Sequence, residues 1–433
     1  MTRSSPLTTR ARSTVAYDTQ VRAADALRRR GAYPEAIQAF HAITLQHPHR
    51  ADAFSNLAAM LQAAGHPMPA LESMARSLEL DPANVSALIN SAEILKDFGD
   101  WPTVLATYHA ARALQPSSAS VRFARGLQLL TVGQWAEGWR EHEQRFHVPD
   151  MPLGTSQLRS PRWDGSALAG RHIVLDREQG LGDQIMFARF ATDVAERGGR
   201  VTVRCSAPLA PLLSGMSAEV GVISDHDAVP RHDVHATLMS LPHCLGVASP
   251  DAISGAAYLA PCGEPSSAIL QAMVGQGPRV GLVWAGNAQH RNNARRSIAP
   301  TLLLPLVQVP GVQFVSLQRH DGPDAVLPAV LHPHVRDLGG ALPSFNDTAH
   351  ALRQLDLLIT VDTSVAHLAG ALGVPTLLLV PFVPDWRWML DRRDTPWYDS
   401  LQLLRQSTLF EWQPVIETAI GTVTALLDTP RPR

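Results

Sequence analysis

Hydrophobic positions recur along this chain in two rhythms. Between residues 17 and 149 small and apolar residues return at helical spacing, and the whole pattern repeats every 34 positions. Gly31, Gly65, Gly99 and Gly133 mark that period, and Pro48, Pro82 and Pro116 mark it again. Ala36, Ala70 and Val104, then Phe40, Met74 and Tyr108, hold matching places between them. The pattern predicts paired helices. Glycine permits the tight turn inside a pair, and proline, which has no N–H and collides with the preceding turn, ends the second helix. Four units result, at about 17–50, 51–84, 85–118 and 119–149, the last degenerate.

Beyond residue 160 short β-branched apolar runs alternate with helical spacing, which predicts a parallel, doubly wound sheet. In a first half the strands are Arg171–Arg177, Arg200–Cys205, Val220–Asp225 and His232–Met239, with a helix at Gln184–Glu196. In a second half they are Arg279–Ala285, Gly311–Gln318, Val335–Leu338, Leu357–Val361, Thr376–Val380 and Leu401–Arg405. Helices are expected there at Ala349–Leu355, Val365–Leu372 and Trp412–Leu427. The resulting division is a disordered terminus 1–16, a repeat array 17–149, a linker 150–162 and two α/β domains, 163–275 and 276–433. Two such halves leave a cleft between the carboxyl ends of their sheets. Trp135, Trp139 and Phe146 close the array and predict a packed interface onto the first α/β domain.

Composition changes this picture little. A chain of 433 residues, 45% hydrophobic, accommodates two to three domains with sizeable cores. A formal net charge of −2 gives no basic field for nucleic acid or anionic membrane. Cys205, Cys244 and Cys262 form neither a disulfide framework nor a zinc spacing, so a reducing, cytoplasmic setting is expected. Met1–Tyr17 lacks the apolar core of a secretory leader. No run approaches the roughly 18–20 apolar residues of a transmembrane helix.

Candidate chemistry gathers at strand ends. In the stretch 356–381, Asp362, Thr363 and Ser364 are N-cap residue types at a strand-to-helix switch, and Gly373 and Pro375 stop that helix. A helix start of this kind offers free N–H groups and partial positive charge to a phosphate. Gly286, Asn287, Arg295, Arg296, Ser297, Gln318 and His367 stand at the neighbouring ends. Arg295 and Arg296 suit a diphosphate, or are a solvated pair; His367 contacts a ligand, or is a satisfied core histidine. In the first half Gly180 and Gly182 allow close approach of an acceptor, and Asp183 follows them. Asp183 is a general base or a helix cap, and spacing alone leaves both open. Asp385–Met389 and Pro396–Tyr398 add aromatics. In repeats two and three, Asn56 and Asn90 hold the same place, where a carboxamide can both donate to and accept from a peptide backbone; Arg22 and Ala124 interrupt that ladder.

The 34-residue period with its glycines and prolines resembles the tetratricopeptide repeat (TPR). Asparagines at the place of Asn56 and Asn90 line the groove of protein O-GlcNAc transferases, which implies an acceptor polypeptide held by the array. Further on, Glu178-Gln-Gly-Leu-Gly-Asp183, Gly281-Leu-Val-Trp-Ala-Gly-Asn287, Arg296-Ser-Ile298, Ser316-Leu-Gln318, Val361-Asp-Thr-Ser-Val-Ala-His-Leu-Ala-Gly-Ala-Leu-Gly373 and Asp385-Trp-Arg-Trp388 resemble bacterial TPR glycosyltransferases. Their catalytic part is similar to glycosyltransferase family 9, the heptosyltransferases. The resemblance implies a helical solenoid followed by a GT-B pair of Rossmann-like α/β domains. It implies inverting, metal-independent transfer from a nucleotide sugar with no cofactor. Asp183 matches the proposed base, and Asp362, Thr363 and His367 match the block that holds the donor diphosphate. Ser364 stands where heptosyltransferases commonly have glycine, and Arg295 or Arg296 replaces their basic residue, so ADP-heptose is not carried over as donor. The acceptor implied is a protein, for example a flagellin. A surface glycan served by docking repeats, or a non-catalytic interaction module, are the alternatives.

Overall fold

The computed structural model describes residues 6–154, 158–289, 292–319 and 326–428, with backbone alone for 6–14. The chain forms two compact units, Met1–Arg125 and Gly126–Arg433.

The first unit is a helical array. Its helices are α1 (Pro6–Arg29), α2 (Tyr33–Gln46), α3 (Ala51–Ala63), α4 (Pro67–Leu80), α5 (Val85–Leu95) and α6 (Trp101–Leu114); α7 (Ala119–Thr131) begins there. Gly31, Gly65 and Gly99 sit at φ of 75°, 81° and 71°, a left-handed backbone that costs other residues roughly 1–2 kcal/mol. Pro48, Pro82 and Pro116 lie just beyond the ends of α2, α4 and α6. Ala36, Ala70, Val104, Phe40, Met74 and Tyr108 are all buried. The core is a chain of small clusters, each shared by adjacent helices, as expected where a repeat packs mainly on its neighbours. The period therefore builds TPR-like helix pairs. One expectation is corrected: the segment 1–16 is helical from Pro6 onward, while Met1–Ser5 lie outside the described residues. Proline suits a first helical turn, and the helix is anchored further on by Tyr17, buried against the second repeat.

The second unit starts inside the fourth repeat, not at the linker. Gly133, at φ 83°, turns the chain from α7 into α8 (Trp135–His142). Trp135 stacks on Trp397 with centroids 5.2 Å apart, and Trp139 meets Trp386 edge-on at 5.3 Å and Phe187 at 6.1 Å. These rings bind the repeat's second helix to both α/β halves, as the aromatic run predicts, and so the fourth repeat closes on the sheets.

Two all-parallel sheets make up the rest. Strands β1 (His172–Asp176), β2 (Arg200–Cys205), β3 (Val220–Ser224) and β4 (Val234–Thr237) lie in the order β3-β2-β1-β4. Strands β5 (Arg279–Val283), β6 (Gln313–Ser316), β7 (Val335–Asp337), β8 (Leu357–Val361), β9 (Thr376–Val380) and β10 (Leu401–Arg405) lie in the order β10-β9-β8-β5-β6-β7. β8 and β9 are buried at every position because both faces of their sheet are covered. One apolar core runs continuously from α8 through the first sheet into one face of the second. The expected strands are present, four of them with the expected bounds and six shorter at one or both ends. The helix expected at Gln184–Glu196 begins earlier and divides into α9 (Leu181–Ala188) and α10 (Phe190–Glu196). The helix expected at Ala349–Leu355 runs Phe345–Leu352 instead, because Ser344 and Asp347 form a capping box ahead of it.

After α8 a short 3-10 segment, Glu143–His147, carries Arg145 into the interior. Arg145 Nε and Nη2 donate to Glu178 Oε1 and Oε2 at 2.5 and 2.9 Å, and both side chains are fully buried. Nη1 donates to Glu143 at 2.6 Å, and Nη2 also reaches the hydroxyls of Thr237 and Ser240. Removing one partner of such a pair strands a buried charge. Glu178→Ala should therefore lower the unfolding free energy of the second unit by about 3–5 kcal/mol, measured by denaturant titration against wild type.

Candidate functional site

Strand β1 delivers the first group. Beyond it the loop passes through Glu178, pinned by Arg145, and Gln179, which adopts a left-handed φ of 60°. Gly180 then caps α9, and its N–H donates to Asp183 Oδ2 at 3.0 Å. The two oxygens of this carboxylate are engaged separately. Oδ2 caps the helix, and Oδ1 accepts a hydrogen bond from Arg387 Nη2 across the space between the two sheets.

Strand β8 delivers the second group. Asp362 and Thr363 lead into the helix Ser364–Leu372, and Thr363, extended at φ −145°, is its N-cap. The Thr363 carbonyl accepts the amides of Ala366 and His367 at 3.0 and 3.4 Å. The amides of Ser364 and Val365 have no hydrogen-bond partner among the described residues. This helix start touches that of α9. A Cβ on Gly182 would lie 2.8 Å from His367 Cδ2 and 3.4 Å from Ser364 Cα, so the approach requires glycine.

Strand β9 delivers groups that the sequence pattern leaves unassigned. Asp385 caps a single 3-10 turn, Trp386–Trp388, and its Oδ1 accepts both the Arg387 N–H at 3.1 Å and Arg387 Nη1 at 2.6 Å. The Arg387 guanidinium lies 4.3 Å over the Trp386 ring. The loop after β5 adds Gly286, over which the Arg296 guanidinium lies so closely that a Cβ would collide with it.

Charge dominates this arrangement. Burial works against the Arg387 cation, but Asp183, Asp385 and Asp362 outweigh it and raise its pKa. Burial and repulsion from Asp385 push Asp362 up to about 6, against the pull of Arg296 and Arg387. For Asp385 burial acts in the same sense, yet Arg387 prevails and holds the carboxyl below its ordinary range. His367 is driven down to about 3 by burial and by Arg387, so the ring is neutral at physiological pH. Its Nδ1 is 3.0 Å from the Tyr398 hydroxyl, and its ring stacks on Trp388 at 5.3 Å. Tyr398 itself lies flat on the helix at Gly370, where a side chain would overlap the phenol ring.

Asp183, Gly180, Gly182, Gly286, Arg296, Asp362, Thr363, Ser364 and His367 therefore gather where the two sheets' strand ends meet, together with Asp385, Arg387, Trp388 and Tyr398. Other candidates are committed elsewhere. Gln318 Oε1 accepts the amides of Trp284 and Ala285 and its Nε2 donates to Arg319 O, so this side chain ties down the end of β5. Ser297 Oγ donates to Asn293 Oδ1, and the exposed Asn287 accepts the Gln289 N–H in a local turn. Arg295 shares a short helix with Arg296, and it is Arg296 whose charge acts on Asp362 and His367. Asn56 and Asn90, on α3 and α5 of the first unit, are half-buried at equivalent places. Two surface cavities, of about 420 and 410 Å³, lie apart from the crevice, one beside Arg393 and Arg405 and one beside His172 and Arg200. The available signal for Asp385 and Arg387 was a charged pair just past the end of the strand adjoining β8.

No protein-family model matches this chain. It is similar to Protein FlbA of Caulobacter vibrioides, 28% identical over an alignment of 424 residues that spans 90% of this chain and 70% of that protein. Among solved structures it has likenesses to the Yersinia enterocolitica type III secretion chaperone SycD in complex with a peptide of the translocator YopD (19% identical, 26% of this chain and 92% of that one, TM-score 0.25). Another is MamA (19% identical, 29% and 74%, TM-score 0.27). A third is a tetratricopeptide repeat protein from Parabacteroides merdae (18% identical, 31% and 54%, TM-score 0.28). Among the described residues no helix is long and apolar enough to cross a membrane.

The raised Asp362 sets a pH dependence. Its folded pKa exceeds its unfolded value, so the stability it contributes is present below about pH 4 and is lost as pH rises through about 6. Asp362→Asn, which cannot ionise, should gain stability relative to wild type across that window, read by denaturant unfolding at fixed ionic strength.

Proposed function

We propose that the second unit is a GT-B glycosyltransferase that takes a sugar from a nucleotide-sugar donor, and that the repeat array presents the acceptor, a polypeptide. One observation carries this reading: a carboxylate at one helix start, Asp183, faces uncommitted amides and arginines at another. The diphosphate would lie against the Ser364 and Val365 amides with Arg296 and Arg387 beside it. These charges would do the electrostatic work that a metal ion does in other transferases.

The reaction is a direct displacement. Asp183 takes the proton of the acceptor hydroxyl as its oxygen bonds to the anomeric carbon. The bond from that carbon to the phosphate oxygen breaks with inversion, and the nucleoside diphosphate leaves with the electron pair. His367, neutral and held through Tyr398, offers a hydrogen bond without adding charge. Because Gly182 touches Ser364 and His367, the halves must part for a ligand to enter. On the acceptor side, Asn56 and Asn90 grip the backbone of an extended chain irrespective of its side chains.

A thermal-shift screen against a panel of nucleotide sugars tests the donor site, since a ligand that prefers the native state raises its melting temperature. If none does so, the crevice is not a donor site and only a repeat-based interaction module remains. With the donor found, Asp183→Asn should lower turnover by roughly 10²–10⁴-fold while donor binding persists. Unchanged turnover refutes the base assignment. The double substitution Asn56→Ala with Asn90→Ala should raise KM for a polypeptide acceptor and leave slow hydrolysis of the donor unaltered. An unchanged KM removes the groove from the reading.

A further inference from the structure

The Arg387 guanidinium has more claims on it than a structural pair needs. It donates to Asp183 from Nη2 and to Asp385 from Nη1, and its Nε is buried without a hydrogen-bond partner. Asp362 also acts on it, so three carboxylates share this cation, and Asp362 faces the nearby Arg296 as well. Of the other groups facing it, His142 is held neutral by burial and by Arg145 ahead of Arg387, and His367 by burial and Arg387. Trp388, fully buried and stacked on His367, turns its Nε1–H toward Asp362 without reaching ordinary hydrogen-bond geometry. Arg296 Nε is a third buried donor without a partner in the same place. The crevice thus holds unspent donors beside a carboxylate that already has a cation across from it.

We propose that Arg387 is a ligand for a diphosphate group at the start of the helix Ser364–Leu372, and that it is shared in competition with Asp183. This rests on the donor-site reading above and adds its regulation. Without an anion, Arg387 holds Asp183 Oδ1 and occupies the lone pair that a base would use. A diphosphate arriving at the Ser364 and Val365 amides draws the guanidinium to itself, and Asp183 Oδ1 is released. Arg387 is then a positioning residue for the base as well as a ligand for the leaving group. Asp385 keeps hold of Nη1 and of the Arg387 N–H throughout, so the side chain swings about a fixed anchor.

Competition has a thermodynamic signature, because two partners that exclude one another on a third are negatively coupled. The probe is inorganic pyrophosphate, titrated calorimetrically into the full chain at fixed ionic strength. Arg387→Gln should weaken its binding by roughly tenfold, and Asp183→Asn, which removes the competitor, should tighten it by a similar factor. In the Arg387→Gln background the Asp183→Asn gain should vanish, since nothing is left to compete for. If the gain persists undiminished in that background, Asp183 acts only by through-space repulsion and the shared-ligand proposal fails. If Asp183→Asn leaves binding unchanged or weakens it, the proposal fails as well. In either case anion binding itself survives, and so does the donor-site reading. If wild type and Asp183→Asn both fail to bind pyrophosphate, both fall. Should Arg387→Gln not fold by circular dichroism, Arg387→Lys, which keeps the charge but cannot bridge two partners in the same plane, takes its place in the cycle.

Discussion

A guanidinium removed from water has to find its counter-charge inside the protein, and Arg145 finds it in Glu178. That contact reaches from the end of the fourth repeat to the loop behind β1. It sets where the loop turns at Gln179, hence where α9 starts and where Asp183 projects. The nearby aromatic layer of Trp135, Trp139, Phe187, Trp386 and Trp397 brings in the loop after β9, which carries Asp385 and Arg387. The two sides of the crevice are thus braced by one buried polar contact and one apolar layer, both rooted in α8 and the segment after it. A local error there would displace catalytic candidates that lie far away in sequence.

Burial first, and repulsion from Asp385 second, raise Asp362, while Arg296 and Arg387 pull it back, so this carboxylate is the one in the cluster that protonates most readily. Neutral His367, clamped between Trp388 and Tyr398, keeps the balance from shifting with modest changes in acidity.

Much of this is legible in the sequence where a single physical rule governs. The glycine period demands left-handed turns, and short β-branched runs between helical stretches demand a parallel sheet. Capping residues at Asp362 to Ser364 identify one helix start, whereas the helix expected from Gln184 begins three residues earlier, inside the glycine loop. Sequence does not supply proximity between distant segments. Nothing in the spacing of Gln318 says that its carboxamide is spent on the amides of Trp284 and Ala285. Nor does it say that Arg387 lies against Asp183, 204 positions earlier in the chain. Element ends slip where a local cap, such as Ser344 with Asp347, outweighs the apolar period. At the amino terminus polarity reads as disorder, although an anchored helix extends readily through polar residues.

The seam between the two units runs through α7 and not through the proline-rich stretch at 150–162. A helix that straddles a seam cannot be traded away with either side. Whole 34-residue units can be added or removed only ahead of this closing pair, because Leu130, Trp135 and Trp139 belong to the core that runs on into the sheets. The length of the solenoid is then free to vary, while its closing helix stays with the sheets it packs on.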